Sequence, residues 1–296
     1  AMFVLVLGGA FAWRATKIPT DVIQMDVNPS IELTLNIYGR VLDCEAVNTD
    51  ADPIVGKFNL NGKSLGEAAG KLASALIEAG YITDEKNTVL IGAIGENEER
   101  SASLAGKASA AVQGAEKAAD IEPAVLTQHF KPSGTLDSDA AVLGVSQSKA
   151  ALVESFENYV PEYDAKVLSK LSITELGVLA DAYDSGIHFL AISGKPHSAL
   201  LDSDSVLSSV AGTWQSAVTK SAAKLGATAD GLMYYVTGSD GVKKYTSVVN
   251  AVTGKIVASS QGTDDHKDDD QKADETETEH HDDSDKIVTP AKTAAP

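Results

Sequence analysis

The chain predicts an α/β (α+β) fold, a small sheet backed by helices, and three features carry that expectation. Two period-two runs meet at Asn28-Pro29: Ile23, Met25 and Val27 alternate with Gln24 and Asp26, and Ile31, Leu33, Leu35 and Ile37 alternate with Glu32, Thr34 and Asn36. A short continuous apolar run, Thr88–Ile94, reads as a buried strand. Between them, Leu65, Ala68, Ala69, Leu72 and Leu76 recur at helical spacing.

In chain order, Met2 to Trp13 is apolar and is followed by Arg14 and Lys17. A membrane span needs about 20 residues, so this run reads as the outer end of a truncated transmembrane helix or as the h-region of a signal peptide. The motif at 25–33 favours the first, making residues 1–20 a truncated helix end plus a juxtamembrane segment. Residues 21–125 read as one α/β unit. Within it, Ile31–Ile37 and Val41–Val47 form a hairpin about Tyr38-Gly39, where glycine supplies the positive φ of a tight turn. Ser64-Leu65-Gly66-Glu67 is a capping box that opens a helix ending at Gly80, and Glu98 to Ala119 is an Ala-rich helix.

Pro123 to Leu136 reads as a linker, and residues 126–196 as linker plus helical segment. Helices are expected to open near Leu143–Lys149 and at the Ser-x-x-Glu box of Ser172 and Glu175. Residues 197–261 read as a separable α+β module. It has a helix around Trp214–Leu225, then strands Leu232–Thr237, Val242–Asn250 and Lys255–Ser259 with Asp-Gly and Thr-Gly turns. Residues 262–296 hold too little apolar side chain to fold and read as a disordered acidic tail.

Composition narrows the function. The net charge is −18, and residues 263–286 alone hold 12 acidic and 3 basic side chains, half of that net charge. A chain of this sign is a poor partner for nucleic acid or an anionic membrane surface. The lone Cys44 permits no internal disulfide and no thiolate metal site, and shares a strand face with Leu42 and Ala46, as a small buried hydrophobe would. His188 and His197 are isolated and read as loop or packing residues, and His266, His280 and His281 lie in the solvated tail. No phosphate-cradling glycine loop, G-x-S-x-G or H-E-x-x-H occurs. A turnover enzyme is therefore not expected, nor any cofactor or metal.

The chemically suggestive bond is Asn28-Pro29. Asparagine and proline are ordinary turn residues, and a plain corner between strands is one reading. The other concerns the Asn28 side-chain amide, which can attack its own carbonyl, close a succinimide and expel Pro29 as a new N-terminus. The usual competitor, attack by the following backbone nitrogen, is closed because Pro29 has no N–H. Asp26 and Ser30 flank the bond as supporting groups, with Ser30 or a nearby backbone N–H placed to meet the oxyanion.

The run Met25-Asp26-Val27-Asn28-Pro29-Ser30-Ile31-Glu32-Leu33, followed by Asn36 and Gly39-Arg40-Val41, resembles the start of the extracytoplasmic domain of RsgI-type anti-sigma factors. Gly62-Lys63-Ser64-Leu65, Glu67-Ala68 and Asn87–Ile91 resemble the same family, as does the helical segment after 143, with Ser148 where the family usually has glycine. That resemblance implies a single-pass protein of Gram-positive cell membranes, with the domains of this chain outside. A sigma factor is held by a cytoplasmic domain missing from this sequence. The resemblance also implies self-cleavage between Asn28 and Pro29 that leaves a non-covalent complex. Its dissociation then triggers regulated intramembrane proteolysis by a site-2-type protease and release of the sigma factor. An extracellular or cell-wall ligand is a further partner so implied. Residues 242–257 resemble the strand pair of a PepSY domain, a small extracellular module often linked to restraining peptidases. The alternative function is accordingly a secreted or surface-anchored PepSY-like binding module with no signalling role.

Overall fold

The computed structural model describes residues 16–160, 163–183, 191–197, 199–214, 218 and 220–263. The apolar run Met2–Trp13, His188 and the acidic tail from residue 264 lie outside the described residues. Among the described residues no helix is long and apolar enough to cross a membrane.

The first half is built on a six-stranded sheet in the order β3-β2-β1-β4-β5-β6. Its strands are β1 Pro19–Asp26, β2 Ser30–Asn36, β3 Val41–Ala46, β4 Thr88–Gly95, β5 Ala124–Phe130 and β6 Ala191–Gly194. Only β4 and β5 are parallel; the other neighbours run antiparallel. The expected hairpin turn is present: Gly39 has φ 68°, and the Asn36 side chain accepts from the Tyr38 and Arg40 N–H groups. Helices α1 (Leu65–Glu78) and α2 (Glu98–Ala118) cover one face. Ser64 caps α1 on the Glu67 N–H as its box predicts, and Asn97 caps α2 on Arg100. Their Leu72, Leu76, Leu104 and Val112 pack on Ile23, Met25, Leu33 and Ile91 to form the first core. Cys44 lies half-buried against that core, and burial beside Asp43 and Glu45 pushes its thiol up to about 11, the protonated range for a packing residue.

The other face of the sheet is covered as well, by α3 (Gly134–Leu143), α4 (Gln147–Tyr159) and α5 (Ile173–Ala182). The reciprocal capping box of α5 between Ser172 and Glu175 is present as expected. Strand β4 is buried at every position: Val89, Ile91 and Ala93 enter the first core while Leu90 enters a second. Burial on both faces explains its continuous apolar sequence.

Three expectations need correction. The stretch from Pro123 is no linker, because Ala124–Phe130 is β5, paired in parallel with Thr88–Ile94. Proline just before the first ladder residue costs no hydrogen bond there, and a strand buried on both faces shows no alternation to announce it. The boundary drawn at 125/126 thus falls inside a strand. The helix expected around Trp214–Leu225 is instead α6 at Ser203–Ala211, capped by Asp202, and Lys220–Thr228 is strand β7. Small and long-chained residues in 220–228 favour a helix by propensity, but ladder pairing along all of β8 (Gly231–Ser239) prevails. Lastly, Gly262 and Thr263 do not belong to a tail. They end β10 (Ile256–Thr263), opposite Lys244 and Lys243 of β9 (Lys243–Asn250).

The second sheet is an antiparallel meander in the order β10-β9-β8-β7. Its Leu232, Tyr234, Val236 and Val249 share one core with Leu152, Val153 and Phe156 of α4, Leu176 and Leu179 of α5, and Leu90 and Leu126 of the first sheet. Trp214 stacks on Tyr245 at 5.5 Å between centroids and lies over Gly238, where a Cβ would collide with its ring. The two sheets are therefore fastened to opposite sides of the α4–α5 layer.

Candidate functional site

Strand β1 pairs with β2 up to Asp26 opposite Ser30, leaving Val27, Asn28 and Pro29 to close the hairpin. The Val27 N–H donates to the Pro29 carbonyl at 3.0 Å, so the chain reverses about Asn28 alone. Asn28 takes φ 71°, a left-handed conformation that asparagine tolerates better than other side chains. It is exposed, whereas Val27, Pro29 and Ser30 on either side are buried. β2 is also tied to the segment after β3: the Val47 N–H donates to the Ser30 carbonyl at 2.9 Å, and the Ser30 N–H donates to Asn48 Oδ1 at 3.1 Å. The loop is held at both ends while its central residue is exposed.

Asp26 stands at the base of this loop, 1 % exposed. Its Oδ2 accepts from Ser146 Oγ at 2.8 Å, and its Oδ1 has no hydrogen-bond partner. Burial raises the carboxyl to about 6, against the opposing pull of the Ser30 and Ser146 hydroxyls and of Lys149; Glu32 adds a further push upward. Burial in turn lowers the Lys149 ammonium, offset by Asp26 and Glu175. These groups adjoin a cleft of about 620 Å³ whose lining includes Asp26, Asn28, Ser30, Asn48, Ser146 and Lys149.

The four residues expected as a site, Asp26, Asn28, Pro29 and Ser30, thus come together in one hairpin end. The reaction for which these residues would be the reactants is a scission within a single chain, and it balances as follows. Asn28 Nδ2 forms a bond to the Asn28 carbonyl carbon, the bond to the Pro29 nitrogen breaks, and the proton lost from the amide reaches that nitrogen as it leaves. An acid that titrates near 6 is suited to taking and returning a proton around neutrality. The Val27 and Ser30 N–H groups are engaged by Pro29 and Asn48, so neither is free to meet an oxyanion, and the Ser30 hydroxyl acts on the Asp26 carboxyl. Asn48, Ser146 and Lys149 were not singled out from the sequence. Ser146 shows there only as a helix opening, and nothing local places it 120 residues back against Asp26. Among the described residues no group of three or more His, Cys, Asp or Glu could hold a metal ion. His197 lies beside Glu122, Nε2 to Oε2 3.2 Å, and its N–H donates to Asn87 Oδ1 at 2.8 Å.

Residues 20–155 match the family model described as the anti-sigma factor RsgI-like central domain. Among curated relatives, anti-sigma-I factor RsgI7 of Acetivibrio thermocellus is 21% identical over 177 residues, 60% of this chain and 32% of that protein. Anti-sigma-I factor RsgI6 of the same organism is 30% identical over 95 residues, 31% of this chain and 12% of its own length. RsgI9 is 36% identical over 69 residues, 23% of this chain and 10% of its own. The chain therefore spans a third or less of the curated relatives it matches.

Proposed function

We propose that this chain is the extracytoplasmic sensing part of a membrane-anchored anti-sigma factor, and that its Asn28-Pro29 bond opens by self-cleavage. The anti-sigma role rests on the RsgI-like central domain over 20–155 and on the three relatives, all of them anti-sigma-I factors. The observation that carries the cleavage step is the hairpin itself. An Asn-Pro bond sits at an exposed, left-handed asparagine between two pinned strands, with a buried acid at its base. Fixing the reacting groups in this way is worth about 7–11 kcal/mol of barrier in well-oriented intramolecular reactions.

On this reading the chain performs one bond scission and no turnover. β1 stays in the sheet after scission and ties the membrane anchor to the folded domain. Its departure exposes the anchor stub to a site-2-type intramembrane protease, and the sigma factor held on the cytoplasmic side is released. The test is made in cells on the complete gene product, comparing wild type with Asn28→Gly and reading transcripts of a promoter served by the cognate sigma factor. The expected result is a promoter that no longer responds to its inducing condition in the variant. An unchanged response would remove scission from the signalling role.

A further inference from the structure

Once β1 is separated from the chain at the loop, it is a peptide bound in a groove. β2 and β4 form the walls, with ladders from Pro19 to Asp26 on one side and from Asp21 to Asp26 on the other. Main-chain ladders of this kind give affinity with little discrimination, while side-chain pockets set the identity and residence of the strand. The face of β1 turned to α1 and α2 carries Ile23 and Met25 into the first core, and Asp21 onto Arg100 with Oδ2 to Nε 2.7 Å. The opposite face carries Gln24 and Asp26, both essentially sealed from solvent. Two buried polar side chains on one face at the end of a central strand are costly unless satisfied.

Most of their partners come from one helix turn. Ser148 donates to Gln24 Oε1 twice, from its backbone N–H at 2.8 Å and from its Oγ at 2.9 Å. Ser146 Oγ donates to Asp26 Oδ2 at 2.8 Å. Gln24 Nε2 completes the set on Glu32 Oε2 at 2.9 Å. The turn itself is held down from the sheet: the Ser148 carbonyl accepts from Gln128 Nε2, and Ser148 Oγ occupies the space a Cβ at Gly92 would need. We propose that the first turn of α4, Ser146 to Lys149, is a polar clamp that retains strand β1 after scission at Asn28-Pro29, so that the helical layer governs release of the strand.

This inference rests on the proposed scission and adds what controls its consequence. One turn beyond the clamp, Leu152, Val153 and Phe156 of α4 lie in the core shared with the second sheet. That core also holds Leu90 of β4, the ladder partner of Asp26, so it bears on β1 both through the clamp and through the neighbouring strand. The C-terminal half is thereby coupled to β1 through α4 and β4.

The test holds the whole chain on beads by its C-terminus and measures how fast the fragment ending at Asn28 is lost into mild urea. Intact mass is recorded first on every sample. Gln24→Met removes both Ser148 contacts at similar side-chain volume, Ser148→Ala removes one, and Leu152→Ala loosens α4 without touching β1. Each lost or stranded buried hydrogen bond is worth around a factor of ten in rate. Release is expected at least about tenfold faster in Gln24→Met and faster in Leu152→Ala, with Ser148→Ala intermediate. Release within about twofold of wild type in both Gln24→Met and Leu152→Ala overturns the clamp. Where intact mass shows an uncut chain, the assay is run on protein opened by a protease site inserted after Asn28. Failure of scission and failure of the clamp then read out separately.

Discussion

Ser146 Oγ hydrogen-bonds Asp26 Oδ2 at 2.8 Å across 120 residues of chain, joining the cap of a helix to the acid beneath the Asn28 hairpin. One hydroxyl thus serves two acceptor and donor roles: it caps α4 by accepting from the Lys149 N–H and satisfies half of a buried carboxyl. The other oxygen of that carboxyl has no partner, and burial keeps the acid raised to about 6.

A pH dependence follows from Asp26. Its folded value near 6 stands above the model-peptide value of 3.8, so the folded protein holds this proton where the unfolded chain has lost it. The group's contribution to stability is greatest below 3.8 and declines as pH rises through the window up to about 6. Asp26→Asn should flatten that decline, seen as urea midpoints that differ less between pH 4 and pH 7 than in wild type. If the carboxylate accepts the amide proton during scission, the scission rate should climb across the same window and lose that climb in the variant.

Glu116 offers a second, independent titration. It is fully buried on α2, neither carboxyl oxygen has a partner, and burial raises it from 4.5 to about 8. The sign is the same as for Asp26: stability from this group is lost as pH rises from 4.5 toward 8. Glu116→Leu should stabilise the protein by about 1–3 kcal/mol, the usual cost of an unsatisfied buried polar group. The gain should grow between pH 5 and pH 8.5 in denaturant titrations. A gain that shrinks over this range would contradict the burial of that carboxyl.

The loop residue separates chemistry from conformation. Asn28→Ala removes the attacking amide but also places a Cβ-bearing residue without a compensating side chain at φ 71°, at a cost of about 1–2 kcal/mol. Asn28→Gly removes the same amide and accepts that φ freely. Both should abolish scission, and only the alanine variant should lower the denaturant midpoint. Asn28→Asp should slow scission without stopping it, read by the rate at which the cut species accumulates.

The first core was legible in the sequence because each of its elements advertises itself locally. Ile23, Met25 and Val27 alternate, Ser64 and Glu67 box the start of α1, and Gly39 marks the hairpin turn. What escaped was set by distant partners. β5 begins at Ala124 with Val125 in the first core and Leu126 in the second, so its sequence does not alternate, and the prolines at 123 and 132 disguise it as a linker. β7 is a strand because Tyr235 packs over Gly226 and β8 offers a full ladder, against the helical leaning of its own residues. At the site, the four hairpin residues could be named from one motif. Ser146, Lys149 and Asn48 were invisible because only the tertiary fold brings them to Asp26 and Ser30.

That shared second core changes what a truncation should do. Ending the chain at residue 197 removes Leu232, Val236 and Val249 from contact with the cluster holding Leu152, Leu176 and Leu90. Each large apolar side chain left bare forfeits about 1.5–3 kcal/mol. The truncated chain should unfold at markedly lower urea and bind a hydrophobic dye, whereas an unchanged midpoint would show the two sheets to be energetically separate.

The most direct measurement is the intact mass of well-folded protein run under denaturing conditions beside a native gel of the same sample. Self-cleavage predicts two masses that sum to the chain plus no added water when the first fragment ends in succinimide, or plus one water after that ring opens. The larger fragment should begin at Pro29, and a single species should appear on the native gel. One undivided mass after prolonged incubation of the folded chain would contradict the account, and the hairpin at Asn28-Pro29 would then be a structural corner.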